Sequence, residues 1–597
     1  MSTAAAPDVP NPKLERWTRI ARRLVPTESQ RLLLLTVLIG CACGLVAVLF
    51  HVAIGWLSAH TVEWALGRTG AARVGWTLAI PTLGALLSGW VLYRFVPLAR
   101  GSGIPQVKVA YARRGARLRL RDSIGKLFVA TVQVGTGSSL GREGPTVQIC
   151  AGVAASLGRL FGVSPQNQRR LIPVGAAAGI AAAFNAPIAA VTFTIEEIVG
   201  ALDQTVLSGV IVAAAVAAVV ERSVLGVHPL LPFNEPPDGF RASSLTLYAA
   251  LGVLAALVAV TFHDALLSVR NWYRARRALP DWLAPATGAL ATAVLALVAW
   301  YALGSSGVTG GGYVSLSKAL AGTLPVRVLI GLCVLKVIAT TLSYSSGGAG
   351  GVFAPALFIG AMLGGAMGML DERVFDHAAS TRGAFALVGM GAVFAGLIRA
   401  PMTSVLIIIE MTSGYSLALP LMIANMTAYG LARALRPEGL YEALLRQDGI
   451  TLEQHASGRV DVELAALVDA HRDFSVLQPG MSGRSMLERA SGSAAQQVFP
   501  VLDADERLVG LVTLDDVTFL AAETELDLVV TVSDVMHPPV ALRAEDDLRT
   551  AFEAMIANDM RELPVVDATG RVLGLIDEPR IARAYIRGRS DSAPHHA

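Results

Sequence analysis

The chain has 597 residues, 53% hydrophobic and 16% charged, with a mean hydropathy of +0.54 and a formal net charge of +3. Soluble domains carry about 25% charged residues, so this composition excludes an ordinary soluble protein. The near-neutral balance argues for no particular partner, nucleic acid included.

The first 30 residues are basic and polar, too long and too charged before the first apolar run for a signal peptide. Lys13, Arg16, Arg19, Arg22 and Arg23 fit a cytoplasmic face. Leu14, Trp17, Ile20 and Leu24 share one helical face, which suits either a surface-lying helix or one packed on a bundle. From about Arg31 to about Ala434 long apolar runs follow one another, beginning with RLLLLTVLIGCACGLVAVLF. Windows this long and this poor in charge read as membrane spans, so the body is predicted to be all-α and polytopic. The four cysteines, Cys41, Cys43, Cys150 and Cys333, lie in these runs without CxxC spacing and read as buried small residues.

Three glycine-rich, proline-containing breaks interrupt the body. They are Gly101-Ser102-Gly103-Ile104-Pro105, Gly141-Arg142-Glu143-Gly144-Pro145 and Gly351-Val352-Phe353-Ala354-Pro355. Lipid satisfies no backbone polar group, so a break at membrane depth lines a cavity or faces protein. A helix that starts there aims free N–H groups and its positive end at that cavity, which favours an anion. Glycine lets backbone approach a ligand, and proline suits a first turn. Each break alone also fits a tight loop at the membrane surface. Three together, each opening a helical segment, point to a buried anion site.

The body also repeats. VGAAAGIAAAFNAPIAAVTFTIE (174–196) matches VGMGAVFAGLIRAPMTSVLIIIE (388–410) at nine of 23 positions, with Glu196 aligned to Glu410. Two related halves, divided near 230–245, with broken segments in matching places point to a transporter. Whether they are inverted is not legible in the repeat. Past Arg446 charge becomes frequent. There FPVLDADERLVGLV (499–512) matches LPVVDATGRVLGLI (563–576) at seven of 14 positions. Each copy reads as strand, acidic turn and strand leading into a helix, and LRTAFEAMIANDM upstream of the second copy has helical periodicity.

GSGIP, GREGPTVQ, GGVFAP and EGLY, in this order, with AAAFNAPIAAVTFTIEE and IRAPMTSVLIIIEMT, resemble the CLC chloride channel and transporter family over about residues 15–447. The tail resembles a pair of cystathionine-beta-synthase (CBS) domains, which frequently follows that body. The expected architecture is therefore a cytoplasmic segment at 1–30, a CLC-type membrane domain at 31–447 with many tilted and broken helices, a linker at 448–464, and an α/β CBS pair at 465–523 and 530–588.

The resemblance implies chloride transport, no enzymatic activity, no required cofactor and no metal site. It implies a homodimer with one pore per subunit in a bacterial inner membrane, both termini cytoplasmic. It gives Ser102 and Tyr441 hydroxyls and the N–H groups of Val352 and Phe353 to a dehydrated chloride, with serine favouring chloride over nitrate. Neutral donors hold an anion without trapping it. Without the resemblance, Ser102 reads as a helix cap and Tyr441 as an interfacial aromatic.

The resemblance makes Glu143 the gate and external proton acceptor; a carboxylate at a helix start can compete with chloride for the same donors. A salt bridge to Arg142 is not expected, because adjacent helical residues do not face each other. Glu197 aligns with the family's internal proton glutamate, and the pair Glu143 and Glu197 favours Cl−/H+ antiport over a passive channel of the same fold. Lys126 aligns with a lysine that makes the pore potential positive; alone, it reads as snorkelling to a surface.

Gly510, Thr513 and Asp516 form the ribose-gripping pattern of a CBS adenine-nucleotide site, whereas the second copy reads Gly574, Asp577 and Arg580. A purely structural, dimerising module remains the alternative. A CBS-bearing divalent-cation transporter would need converging oxygen ligands, and the breaks present donors instead. An intramembrane metalloenzyme lacks its motif here: there is no HExxH. Fluoride export fits the GSGIP and GREGP forms less well than chloride.

Overall fold

The computed structural model describes residues 28–112, 118–200, 204–226, 231, 233, 242–275, 280–377, 381–412, 414–450, 464–467, 474–493, 496–522, 530–546, 548–581 and 583–584. The amphipathic segment before residue 28, most of the expected break near 230–245 and most of the 448–464 linker lie outside these. The chain forms two compact units, Met1–Leu452 and Glu453–Ala597.

The first unit is helical. Its first half runs α1 (Glu28–Ser58), α2 (Gly70–Arg94), α3 (Ile104–Ala112), α4 (Leu120–Gly135), α5 (Glu143–Leu160), α6 (Pro165–Phe184), α7 (Pro187–Phe193) and α8 (Gln204–Leu225). The second runs α9 (Leu245–Ala275), α10 (Ala284–Val298), α11 (Tyr313–Leu320), α12 (Val326–Ser345), α13 (Phe353–Phe375), α14 (Thr381–Ile398), α15 (Pro401–Thr412) and α16 (Ala418–Leu435), and α17 (Leu440–Gln447) follows. Among the described residues eight helices are long and apolar enough to cross a membrane. Others, α3, α7, α11, α15 and α17, are too short. Of the three Gly/Pro breaks, the first opens the short α3, whereas the second and third open the longer α5 and α13.

Small residues let these helices approach closely, as membrane bundles require. Gly40 and Gly44 of α1 face Val216 and Val220 of α8, where an added Cβ would come within 2.8 and 2.9 Å of a valine Cβ. Gly360 and Gly364 of α13 lie directly on the backbone of α14. Between α1 and α5, the Cys43 thiol donates to the Cys150 carbonyl and the Cys150 thiol to that of Cys43.

Two reciprocal contacts show the relation of the halves. Gly141 and Gly351 form an antiparallel bridge, each N–H donating to the other's carbonyl at 2.7 and 2.8 Å. At the second contact, the Glu196 carboxylate, in the π-helical turn Thr194–Val199 after α7, accepts the Met402 and Thr403 N–H groups at the start of α15. Glu410, near the end of α15, accepts those of Ile188 and Ala189 at the start of α7. Each helix end therefore meets the other helix's beginning, so the pair runs antiparallel and the repeat is inverted. The two aligned glutamates thus cap each other's helices.

The second unit holds two similar motifs. In the first, α18 (Gly483–Ser491) precedes the antiparallel pair β1 (Val498–Leu502) and β2 (Leu508–Thr513) and then α19 (Leu514–Ala522). In the second, β3 (Leu542–Arg543) pairs in parallel with β4 (Glu562–Val566), which pairs antiparallel with β5 (Val572–Asp577); α20 (Leu548–Ala557) lies between β3 and β4. Both hairpins shift register at the equivalent place, Val501/Leu502 and Val565/Val566. The buried Glu562 carboxylate accepts the Gln497 and Val498 N–H groups, joining the copies.

Removing a capping carboxylate leaves two backbone donors without a partner. Glu410→Ala should therefore lower the stability of the purified protein by about 1–3 kcal/mol, read by thermal unfolding in detergent. Glu196→Ala should cost a similar amount through the other helix.

Candidate anion site

The three breaks converge. At the first, Gly101 and Gly103 have φ of 81° and 104°, which only glycine adopts freely. Lys126, fully buried on α4, donates its ammonium protons to the Ala99 and Gly101 carbonyls at 2.8 and 2.5 Å. It does not snorkel. It ties the loop in place and puts a positive charge against the carbonyl preceding Ser102. The loop lies on α5, so a Cβ at Gly144 would stand 2.6 Å from both the Ser102 carbonyl oxygen and its Oγ.

Ser102 is fully buried and its hydroxyl finds no partner within the protein. It is not the helix cap it resembles in sequence, because the Gln106 side chain accepts the Gly103 N–H instead. Tyr441, on α17, is 1% exposed, and its hydroxyl is equally unpartnered. The two side chains interact without ordinary hydrogen-bond geometry. Buried polar atoms in folded proteins are nearly always satisfied, so two such hydroxyls side by side mark a place for a polar occupant.

No side chain caps α5 at Arg142 or α13 at Val352. Their first-turn N–H groups stay available, and the Gly141–Gly351 bridge holds these ends together. Phe353 packs against Phe184, Phe193 and Phe394 at ring separations of 4.9, 5.5 and 4.3 Å, an apolar wall behind the α13 start. Donors without acceptors, in apolar surroundings, suit a monovalent anion held by hydrogen bonds.

Glu143 begins α5 and is 1% exposed. Its Oε1 accepts the Tyr313 hydroxyl at 2.5 Å, and its Oε2 has no partner. Arg142 Nε lies 3.9 Å from Oε1, which corrects the expectation that these neighbours stay apart. Arg142 is the N-cap residue rather than part of the helix, so the helical spacing rule does not apply to it.

Glu197 lies in the π-helical turn Thr194–Val199, a distortion frequent at functional sites. It is buried, and its Oε1 accepts Lys108 Nζ at 2.7 Å. Lys108 projects from α3, the helix that Ser102 introduces. Sequence reasoning passed over Lys108, Tyr313 and Tyr344, whose hydroxyl meets the Ser102 backbone. A signal for Tyr313 was present: the spacing that relates Gly141 to Gly351 and Lys126 to Lys336 also relates GSG at 101–103 to GGY at 311–313.

In the second unit, Thr513 ends β2 and Asp516 lies in the first turn of α19. Asp516 Oδ2 accepts the Thr513 N–H and O–H and lies 3.0 Å from His537 Nε2. Partial burial would raise the Asp516 carboxyl, but these bonds outweigh it and hold it below the usual carboxylate range. In the second copy Asp577 stands at the Thr513 position and accepts the Arg580 N–H.

Comparison with known proteins follows the same division. The family described as voltage gated chloride channel matches residues 84–433, and the CBS domain family matches residues 532–587. The chain is 33% identical over 435 residues to the H+/Cl− exchange transporter ClcA of Vibrio campbellii, covering 72% of this chain and 92% of that protein. ClcA of Salmonella arizonae is 32% identical over 441 residues, covering 72% and 92%. Among solved structures, a slow cyanobacterial Cl−/H+ antiporter is 28% identical with a TM-score of 0.64, covering 70% of this chain and 98% of its own. A eukaryotic CLC transporter, 21% identical, shares the fold with a TM-score of 0.63 over 92% of this chain and 98% of its own.

Gly144→Ala should push the Ser102 loop off α5 and weaken chloride binding by about tenfold or more, the equivalent of ~1.4 kcal/mol, read by calorimetry. Because the Asp516 carboxyl is depressed on folding, its contribution is fully present above the unfolded value near ~3.9 and is lost as pH falls through the folded value. Asp516→Asn should raise hydrogen exchange across 508–522 at neutral pH and abolish that acid-side loss, measured on the full chain and corrected for intrinsic exchange.

Proposed function

The chain belongs to the voltage-gated chloride channel family, and from that premise we propose that it exchanges chloride for protons across the membrane. The observation that carries this reading is the placement of Glu143. Its carboxylate starts α5 beside the bridge that joins two uncapped helix ends, and a Cβ added at Gly141 would collide with its Oε2. Ionised, it competes with chloride for positive helix ends; protonated, it loses that attraction and leaves them to chloride. Ser102, Tyr441 and the Val352 and Phe353 N–H groups bind the chloride. Glu143 accepts protons from the external side. Glu197 transfers them on the internal side. The identity to named H+/Cl− exchange transporters over most of their length supports the same reading.

A passive chloride channel is the second reading, favoured by the Lys108–Glu197 ion pair. The ammonium occupies the Glu197 oxygen that a transferred proton would take, and a proton carrier must give up such a partner. In either reading the protein works as an inner-membrane homodimer with both termini cytoplasmic. The C-terminal unit is its cytoplasmic regulatory or dimerising module. An adenine nucleotide gripped by Thr513 and Asp516 would displace His537 from the aspartate.

The deciding experiment uses purified protein in liposomes with a chloride gradient, no proton gradient and the voltage clamped at zero. Protons driven uphill establish exchange; chloride flux at constant pH makes the protein a channel. Glu143→Gln should abolish proton movement while chloride flux persists, and Glu197→Gln should do so without freezing the external gate. Tyr441→Ala should weaken the heat of chloride binding; unaltered heats remove the tyrosine from the site.

A further inference from the structure

The inverted repeat makes a counterpart of the Ser102 loop. Residues 307–312 precede α11 as residues 99–103 precede α3. Lys336, fully buried on α12, lashes them by donating to the Gly307, Val308 and Gly310 carbonyls at 3.3, 3.0 and 2.6 Å. Lys126 does the same for the first loop. In the first half the loop delivers a serine hydroxyl to the anion site. In the second it delivers the first residue of α11, Tyr313, whose N-cap Gly312 has φ of 76°.

The Tyr313 hydroxyl donates to Glu143 Oε1. The Arg142 guanidinium lies 5.7 Å from the centre of the tyrosine ring and 3.9 Å from the same carboxylate oxygen. Arg142 and Tyr313 line a cavity of about 590 Å³, together with His51, Glu63, Ser306 and Thr309. Glu143 is absent from that lining and almost wholly buried. Tyrosine and arginine thus stand between the cavity and the carboxylate.

We propose that Tyr313 is a positioning residue that latches the Glu143 carboxylate closed, and that the cavity beside it is the approach by which chloride and protons reach the gate. The proposal rests on the reading of Glu143 as gate. A phenol O–H donated to a carboxylate is a charge-assisted bond, stronger than a neutral one. It holds the carboxylate in this position, and a protonated carboxyl accepts it less strongly. Arg142 then remains as a positive group at the cavity wall for an incoming anion. The charged and titratable groups around the latch are Arg142 at the start of α5, Tyr441 on α17, His51 on α1 with Glu63 just beyond it, and Glu221 of α8, which faces Arg142.

The test is chloride flux into liposomes as a function of external pH for the wild type, Tyr313→Phe, Tyr313→Leu, Glu143→Ala and the double variant Tyr313→Phe/Glu143→Ala. Loss of the latch should move the rise of flux to higher external pH, by about one unit for a tenfold weaker hold, in both hydroxyl-free variants. In the Glu143→Ala background Tyr313→Phe should change nothing further. A wild-type pH profile in Tyr313→Phe overturns the latch. So does a shift that persists without the Glu143 carboxylate, because Tyr313 would then act by another route. If Glu143→Ala itself retains wild-type proton coupling and pH dependence, the gate reading fails and the latch falls with it. If Glu143→Ala uncouples transport while Tyr313→Phe is silent, only the latch falls.

Discussion

The reciprocal hydrogen bonds between Gly141 and Gly351 are small, yet the site depends on them. Two helices that begin inside the membrane point their positive ends at one another, an arrangement that repels electrostatically. The glycine bridge holds the two breaks back to back and satisfies a donor and an acceptor on each. With the ends held, the region between them is rich in donors and poor in acceptors. Something negative must occupy it, and the chain carries both a candidate guest's donors and its own carboxylate, Glu143.

The same two-fold logic recurs outward from this bridge. Glu196 and Glu410 cap each other's neighbouring helices, and Lys126 and Lys336 each draw a glycine loop onto the core through backbone carbonyls. These four charges would be costly in a membrane interior if unpaired. Each is matched by backbone groups that a broken helix leaves free. Charge and broken backbone therefore solve one another's problem. In all four cases the buried charge meets backbone groups at a break or a helix end.

The departures from symmetry carry the chemistry. One loop presents Ser102 to an unpartnered Tyr441, the other presents Tyr313 to Glu143. Only one turn after a repeated helix carries a second acid, Glu197, and that acid meets Lys108 from the serine helix. The two unpartnered hydroxyls and the two carboxylates thus sit on elements that share neighbours.

Local composition was enough to announce the membrane body, the breaks, the internal repeats and the CBS-like hairpins, because hydrophobic length, Gly/Pro punctuation and strand alternation are written in consecutive residues. Ser102, Glu143, Val352, Phe353 and Tyr441 stood out because each belongs to a short motif, and the roles expected of them came from the resemblance those motifs carry. The sequence could not say that the halves are inverted, since a repeat has no direction in space until its ends meet. Nor could it say that Lys126 ties a loop instead of snorkelling, that Arg142 turns back onto Glu143 from a capping position, or that Tyr313 and Lys108 bond the two glutamates. Those contacts join residues 89 and 170 positions apart in the chain. Only the tertiary fold, within the first half for Lys108 and Glu197 and between the halves for Tyr313 and Glu143, brings them within the few ångströms over which a hydrogen bond acts.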